Sequence, residues 1–228
     1  MSSAQNVKHD NETRSVIIEP VGKEIKNSLI FLHGLGNSAH GIKHFFHNNP
    51  SSPICNNTRV ILLTAPEVPV TITGGHRQNA WFDIISLGWK EKSLSKEQVL
   101  SNTRAISDWL QKEIDFHNGD ATRVFIGGFS QGCSMALHVG LTYPKKLGGI
   151  IALGGFLFPF TKATQQPPTL IAHGTNDSVI PIMLAEMSYK TLPKWDTLIW
   201  KPLNGAGHSV CPLMFKAIKD FWHAFAKK

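Results

Sequence analysis

Short runs of apolar residues alternate along this chain with segments in which apolar residues recur every three or four positions. The runs are rich in β-branched residues and are bounded by Gly, Pro and Asn, which is typical of strands. They span residues 15–18, 28–32, 58–64, 123–126, 147–152, 168–173 and 197–201. The periodic segments predict helices at 99–114, 131–141 and 182–192, and a last helix after Pro212. Because the strands are apolar throughout and alternate with helices, we predict an α/β fold, a mostly parallel central sheet with helices on both faces.

The length of the chain fits a single domain. It has 228 residues, and single α/β domains reach about 250. A hydrophobic content of 42% with 17% charged residues is typical of a folded protein, which excludes a fibrous or disordered chain. We therefore predict a polar N-terminal tail at residues 1–13 and one domain at residues 14–228.

The chain carries a formal net charge of +7. Its basic residues are scattered, with no basic run and no interleaved aromatic residues, so we do not expect it to bind nucleic acid. A net positive charge leaves transient contact with an anionic membrane surface open.

The cysteines and the apolar runs indicate the cellular compartment in which we expect the protein. Cys55, Cys133 and Cys211 have neither the density of a disulfide framework nor the spacing of a zinc site. The first residues lack the basic start and apolar run of a signal peptide, and the longest apolar run, 147–160, is too short and rich in glycine to span a bilayer. We expect a cytoplasmic protein, and the sequence gives no indication of its oligomeric state.

The strongest local signal is Gly128-Phe129-Ser130-Gln131-Gly132, which fits the pattern G-x-S-x-G. It lies between a predicted strand and a predicted helix, which is the context of a nucleophile elbow. A sharp turn of this kind needs small neighbours, and it projects the serine hydroxyl above the sheet at the positive end of a helix. The pattern therefore predicts Ser130 as a nucleophile.

A serine nucleophile needs a histidine base and a carboxylate that orients the base, and after an elbow they follow in the order acid, then histidine. The candidates downstream are the acids Asp177, Glu186 and Asp196 and the histidines His138, His173, His208 and His223. Only Asp177 and His208 lie in loops that follow predicted strands, at the carboxyl edge of the sheet where ligands bind. The other candidates fall in helices or at the opposite edge, except His173, which we expect to be a hydrogen-bonded core histidine.

A glycine-rich loop follows the strand at 28–32. We predict that its backbone N–H at Leu35 and that of Gln131 form an oxyanion hole. The loop also fits the dinucleotide pattern G-x-G-x-x-A at 34–39, but the acidic residue expected about 20 positions later is absent, and the next acid is Glu67. We therefore expect no cofactor.

Three further histidines, His40, His44 and His47, have the spacing of one helix face. Metal ligation is the alternative that this spacing raises. No acidic residue accompanies the histidines, and Gly41 and Asn48 make the segment a poor scaffold. We predict a surface face of neutral histidines and no metal.

Five segments together resemble the acyl-protein thioesterase branch of the phospholipase/carboxylesterase family, which consists of single-domain α/β-hydrolases. They are Leu32-His33-Gly34-Leu35-Gly36, Ala80-Trp81-Phe82-Asp83-Ile84, Gly127 with the elbow, 173–181, and Gly207-His208-Ser209. The resemblance extends from about residue 15 to residue 226. It implies a single-domain α/β-hydrolase.

The resemblance assigns the nucleophile to Ser130, its partners to Asp177 and His208, and the oxyanion donors to Leu35 and Gln131. It also implies an apolar groove for an acyl chain, lined by Trp81, Phe156, Leu157 and Val179. The implied substrates are S-acylated proteins. Lysophospholipids or short-chain esters are alternative substrates of the same residues, and a non-catalytic acyl-binding or lipid-binding protein is the alternative from another class.

The sequence departs from the family pattern near the expected site. Asn37 stands where aspartate is usual, Cys133 where glycine is usual, and Gly154 where serine is usual. The loops at 73–79 and 87–92 also differ from those of the family, which bears on substrate choice more than on chemistry. Redox control through Cys133 or Cys211 is a further hypothesis, against which stands the expectation of inert thiols.

Overall fold

The computed structural model describes residues 4–49, 51–54, 57–86 and 90–227, and in these ranges a sheet of eight strands forms the centre of the molecule. The strands, including a separate hairpin of β5 and β6, are β1 (Gln5–Asp10), β2 (Ser15–Pro20), β3 (Asn27–Leu32), β4 (Thr58–Leu63), β5 (Glu67–Val70), β6 (His76–Asn79), β7 (Val124–Phe129), β8 (Gly149–Leu153), β9 (Thr169–Gly174) and β10 (Leu198–Leu203). The helices are α1 (Ala39–Ile42), α2 (Lys96–Phe116), α3 (Gln131–Thr142), α4 (Ile182–Tyr189) and α5 (Pro212–Phe225).

The order of strands in the sheet is β1-β2-β4-β3-β7-β8-β9-β10. The two pairings of β2 are antiparallel, and all other pairings in this sheet are parallel. Strands β3, β8 and β9 are buried along their whole length, as expected for parallel strands covered on both faces. The predicted fold, a mostly parallel sheet in an α/β arrangement, is confirmed.

Successive side chains of a strand point to opposite faces of the sheet, and in β3 they enter two different cores. Ile30 and Leu32 join the core that includes residues of α2, α3 and α4. Leu29 and Phe31 join the core formed with α1 and α5. The helices therefore cover both faces of the sheet, as predicted.

Two strand regions were not predicted. Residues Gln5–Asp10, which fall in the predicted polar tail, form β1 and pair with β2, with Val7 opposite Ile18. Their side chains are half-buried or exposed, so the segment lacks the apolar run that indicates a strand. The hairpin of β5 and β6 lies in a segment where we predicted no strand. β6 is polar throughout, and β5 is a run of only four residues that contains a proline.

The histidine-rich segment at 40–47 is not one continuous helix. α1 ends at Ile42, and a 3₁₀ turn at Lys43–Phe45 follows it. The three imidazoles therefore do not share a regular helix face. Within the described ranges, no group of three His, Cys, Asp or Glu side chains is arranged to hold a metal ion.

Candidate active site

Ser130 lies between the last residue of β7 and the first residue of α3, at a backbone φ of 57° and ψ of −119°. A residue with a side chain occupies this region only under strain, which the surrounding structure must hold in place. The neighbouring glycines make the turn sterically feasible. A Cβ atom at Gly128 would collide with the backbone of Gly132, and a Cβ atom at Gly132 would collide with the backbone of Leu32 at the end of β3.

A continuous hydrogen-bonded array joins Ser130, His208 and Asp177. His208 Nε2 lies 2.9 Å from Ser130 Oγ, and His208 Nδ1 lies 2.7 Å from Asp177 Oδ2. Because the Asp177 carboxylate accepts a hydrogen bond from Nδ1–H, the Nε2 lone pair of His208 faces the serine hydroxyl. The loops after β7, β9 and β10 thus deliver the three predicted side chains to one point at the carboxyl edge of the sheet.

The Asp177 carboxylate is buried and fixed by its own loop. Its Oδ1 atom accepts hydrogen bonds from the backbone N–H groups of Val179, at 2.9 Å, and Ile180, at 2.7 Å. These bonds leave Oδ2 directed to His208. The carboxylate therefore has a single orientation, which is what the orienting acid of such an array needs.

Of the other acids and histidines considered from the sequence, only His173 adjoins this array, and it does not contact Ser130 or take the place of His208. Glu186 is in α4, Asp196 precedes β10 at the opposite edge of the sheet, and His223 is in α5. His138 lies in α3 with Nδ1 2.9 Å from Thr161 Oγ1. His173 is buried at the end of β9, next to Asp177, with Nε2 2.7 Å from the Ile180 carbonyl oxygen.

The two predicted oxyanion donors, the N–H groups of Leu35 and Gln131, both belong to residues that line the pocket at Ser130. Within the described ranges, neither group donates a hydrogen bond to another protein atom. Gln131 is the first residue of α3, where the N–H has no partner inside the helix and the helix dipole favours negative charge. Both groups are therefore free to bind a developing oxyanion.

His33 shapes this loop, a role that the sequence analysis missed. It is fully buried, with Nδ1 2.7 Å from the Gly34 carbonyl oxygen, and its Nε2 accepts from the Ala65 N–H at 3.0 Å. Its own carbonyl accepts from the indole N–H of Trp81 at 2.8 Å. Burial lowers the pKa of His33 to about 4, so the ring stays neutral near pH 7 and keeps this hydrogen-bond pattern. Only its position directly before the glycine loop could have indicated the role.

The side chain of Gln131 has a second function beyond its backbone N–H. Its Oε1 accepts from the Trp81 N–H at 3.0 Å, and its Nε2 donates to the Phe82 carbonyl at 2.9 Å. The Trp81 carbonyl in turn accepts from the side chain of Asn102 at 2.7 Å. The segment at 80–84 is thereby tied to both α3 and α2 beside the nucleophile.

A pocket of about 490 Å³ opens at Ser130. Its apolar wall comes from both faces of the sheet and from the loops at the carboxyl edge. The apolar lining residues are Phe31, Leu35, Ile42, Phe45, Phe82, Ile84, Leu94, Phe129, Phe156, Val179, Ile180 and Val210. A pocket with this lining, next to a nucleophile, suits an apolar chain attached to a reacting carbonyl.

The structure corrects two of the four predicted groove residues. Phe156 and Val179 line the pocket, but Trp81 and Leu157 are not part of its described lining. Trp81 is 3% exposed, because its indole packs in the core and binds the His33 carbonyl. Leu157 is 4% exposed in the same core.

The structure shows the surroundings of the residues at which the sequence departs from the family pattern. Asn37 lines the pocket and accepts from the Ser38 N–H through Oδ1 at 2.8 Å, as an aspartate would. Gly154 has a φ of 58°, which favours glycine over the usual serine. Gly74 and Gly75 in the divergent loop at 73–79 also have positive φ. Residues 87–89 of the other divergent loop lie outside the described ranges.

The cysteines near the site differ in their surroundings. Cys133 is fully buried, and burial raises the pKa of its thiol to about 12. A protonated, inaccessible thiol is a poor target for oxidation, which speaks against redox control at this position. Cys211 is half-buried at the start of α5, and Cys55 lies outside the described ranges.

Buried histidines make the stability of the protein dependent on pH. Burial lowers the pKa of both His33 and His138 to about 4 from an ordinary value of 6.5. The unfolded chain therefore takes up these protons first as the pH falls. We expect the free energy of unfolding to be fully retained above pH 6.5 and to fall toward pH 4, by on the order of 3 kcal/mol for each histidine. Urea unfolding at a series of pH values measures this change.

The variant His138→Gln, which does not titrate, should weaken this pH dependence. His223→Gln is the matched control, because His223 is exposed in α5 and should leave the dependence unchanged. Equal pH dependence in His138→Gln and in the wild-type protein would contradict the prediction.

A mostly parallel sheet with a serine at a strained strand-to-helix turn, hydrogen-bonded through histidine to aspartate, defines the α/β-hydrolase class. The chain also matches the profile of the phospholipase/carboxylesterase family over residues 12–225, and it belongs to that family. It is therefore a hydrolase. No helix within the described ranges has the length and apolar character needed to cross a membrane.

Relatives with curated names support the same placement. The chain is 33% identical over 216 residues to acyl-protein thioesterase 1 of Schizosaccharomyces pombe, covering 91% of this chain and 94% of the relative. It is 31% identical over 220 residues to the protein of the same name from Gibberella zeae, covering 90% and 93%.

Solved structures with the same fold include SOBER1 of Arabidopsis thaliana, with a TM-score of 0.75, 28% identity and coverage of 87% of this chain and 98% of that chain. Acyl-protein thioesterase 2 of Zea mays has a TM-score of 0.75 at 22% identity, covering 92% and 98%. At this identity the second likeness concerns the fold alone.

Proposed function

We propose that this protein hydrolyses acyl thioesters, with S-acylated proteins as its substrates. The observation that carries the proposal is the Ser130–His208–Asp177 array at the mouth of an apolar pocket of about 490 Å³. An acyl chain in the pocket would present its carbonyl carbon to Ser130. The names of the relatives, which are acyl-protein thioesterases, favour a thioester over an oxygen ester.

In the proposed reaction, Ser130 Oγ attacks the carbonyl carbon while its proton passes to His208 Nε2. The N–H groups of Leu35 and Gln131 bind the oxyanion of the tetrahedral intermediate. The carbon–sulfur bond then breaks, His208 returns the proton to the leaving sulfur, and the acyl group remains on Ser130. Asp177 holds the imidazole in the required tautomer throughout.

The second half of the reaction releases the acyl group. Water attacks the acyl-serine carbonyl, and its proton passes to His208 Nε2. The bond between the acyl carbon and Ser130 Oγ breaks, and Oγ recovers the proton. The products are a fatty acid and the free serine, so the cycle needs no cofactor.

The apolar wall of the pocket predicts which acyl chains react well. Each methylene moved from water into such a wall contributes about 0.8 kcal/mol. The kcat/KM value should therefore rise with chain length until the pocket is filled.

The test compares kcat/KM for wild-type protein and Ser130→Ala on an S-palmitoyl peptide, an S-acetyl peptide, an acetyl ester and a lysophospholipid. A Ser130-dependent preference for the palmitoyl thioester is the expected result. A preference for the acetyl ester or the lysophospholipid would replace the proposal with a short-chain carboxylesterase or a lysophospholipase. No turnover of any substrate would indicate a non-catalytic acyl-binding protein.

We further propose that the protein contacts membranes transiently through an exposed apolar ridge, which consists of Val179, Met183 and Met187. These side chains are 60%, 66% and 61% exposed, and Val179 also lines the pocket. S-acylated proteins are anchored to membranes by their acyl chains. The ridge would contact the same membrane, from which the acyl chain of the substrate must leave to enter the pocket. The net charge of +7 favours the anionic cytoplasmic leaflet.

We expect the double variant Met183→Glu/Met187→Glu to reduce binding to phosphatidylserine-containing vesicles by on the order of tenfold, because it removes apolar contact and adds negative charge. Vesicle flotation measures the binding. Hydrolysis of a soluble short-chain ester should not change. The matched control is Phe116→Glu, which alters a 47% exposed side chain at the end of α2. Equal loss of binding in the control would contradict the proposal.

A further inference from the structure

His173 is a fully buried histidine four residues before Asp177, and the proposed mechanism does not use it. Its Nε2 lies 2.7 Å from the carbonyl oxygen of Ile180 and 3.3 Å from Oδ2 of Asp177. Both neighbours are hydrogen-bond acceptors, so the ring proton must be on Nε2. Burial lowers the pKa of His173 below its ordinary value, which keeps the ring neutral.

The contacts of His173 close a ring around the Asp177 turn. Asp177 Oδ1 accepts from the Ile180 N–H at 2.7 Å, while the Ile180 carbonyl oxygen lies 2.7 Å from His173 Nε2. The turn is thus attached to the end of β9 at a second point. The same Nε2–H edge faces the carboxylate oxygen that binds His208.

Gly154 is a second residue near the Asp177 carboxylate, and it cannot donate a side-chain hydrogen bond. A Cβ atom at Gly154 would lie 3.9 Å from Asp177 Oδ2, so the residue adjoins the carboxylate but offers it no polar side chain. His173 does offer one, from the carboxyl end of the neighbouring parallel strand β9. The polarised N–H of a neutral imidazole at 3.3 Å stabilises negative charge on that oxygen.

We propose that His173 is a positioning residue, which orients the Asp177 carboxylate and limits how strongly it favours the protonated form of His208. This inference rests on the proposed hydrolase mechanism. Other titratable groups face the same region: Glu186 and Tyr189 of α4 and His208 itself. All three groups are present in the wild-type protein and in both variants below, so they do not account for a difference in kcat or pH midpoint between them.

The variant His173→Leu removes the donor and keeps an apolar side chain. We expect kcat to fall by on the order of 10-fold or more, with KM nearly unchanged, because a buried carbonyl and the carboxylate lose a donor. Without that donor, the carboxylate charge favours protonated His208 more strongly. The pH of half-maximal kcat/KM should therefore rise by a few tenths of a unit.

The variant His173→Gln is the matched control, because its amide N–H reaches about as far as the imidazole Nε2–H. It should restore both kcat and the pH midpoint toward wild-type values. Rates are expressed per active site, counted with a fluorophosphonate, so that loss of folded protein does not count as loss of kcat. A folded His173→Leu with wild-type kcat and pH midpoint would overturn the inference, as would a folded His173→Gln that behaves like His173→Leu.

One measurement on the wild-type protein does not depend on any variant. Histidine ¹⁵N NMR at pH 8 should show His173 as the neutral Nε2–H tautomer, and an Nδ1–H tautomer would overturn the inference. Absence of acyl hydrolysis by wild-type protein would instead overturn the proposed function. The two failures are therefore distinguishable.

Discussion

Replacing Ser130 with alanine is expected to lower kcat on the S-palmitoyl peptide by a factor on the order of 10⁵ to 10⁶, as in other serine hydrolases that lose the nucleophile. His208 and the oxyanion donors would remain, but no acyl-enzyme could form. Steady-state rates, with mass spectrometry of the acylated protein, measure both effects. Wild-type protein should accumulate or turn over a covalent acyl adduct, and the variant should form none.

The matched control is Ser209→Ala. Ser209 is an exposed serine directly after His208, so the variant changes a hydroxyl near the site without touching the array. Its activity should stay within a factor of about two, as is usual for surface substitutions. Retention of a tenth of the wild-type rate by Ser130→Ala would remove Ser130 from the mechanism.

Replacing Gly132 with alanine is expected to prevent folding or to lower the free energy of unfolding by on the order of 3 kcal/mol or more. The added Cβ atom would collide with the backbone of Leu32 and would lie 2.7 Å from the His33 carbonyl oxygen. These are main-chain atoms of β3 and its loop, and they cannot move aside as a flexible side chain can. Urea unfolding measures the loss.

The control for this prediction is Gly207→Ala. A Cβ atom at Gly207 would approach its nearest neighbour, the Asn176 carbonyl oxygen, only to 3.8 Å, which is an ordinary contact. The free energy of unfolding should then change by less than about 1 kcal/mol. Similar stability of the two variants would show that the close approach of α3 to β3 is not needed for the fold.

The sequence predicted those elements whose packing leaves a local pattern. The buried strands of the sheet carry apolar runs, and α2 carries Val99, Ile106, Leu110 and Ile114 on its buried face. β1 escaped prediction because Val7 is the one apolar residue among its six. It becomes a strand through pairing with β2, a tertiary contact that no local pattern encodes.

The candidate site was predictable where chain order and strand ends determine position. Ser130, Asp177 and His208 follow three parallel strands, and parallel strands place their carboxyl ends at one edge. Their catalytic role stays a prediction until the variants are measured. The functions of His33 and of the Gln131 side chain depend on which distant backbone groups they meet. The sequence contains no signal for those contacts.

The residues that line the pocket were also only partly predictable from the sequence. Trp81 and Phe82 are neighbours in the sequence, yet only Phe82 faces the pocket while the Trp81 indole binds the His33 carbonyl. Phe45 reaches the pocket from the opposite face of the sheet, through a segment that we predicted to be a histidine-bearing surface. Lining residues are selected by the packing of separate segments, so a motif-based prediction found only Phe156 and Val179.

The two outermost strands of the sheet form the edges at which a strand of another chain could pair. β10 ends the sheet with Lys201 and Pro202, and proline offers no N–H to a further strand. At the other end, the polar strand β1 covers β2, whose residues Val16, Ile17 and Ile18 pair with β4 on their other side. A chain shortened by residues 5–10 would expose that apolar strand as a template for intermolecular pairing. We therefore expect β1 to keep β2 from pairing with another chain, and so to limit aggregation.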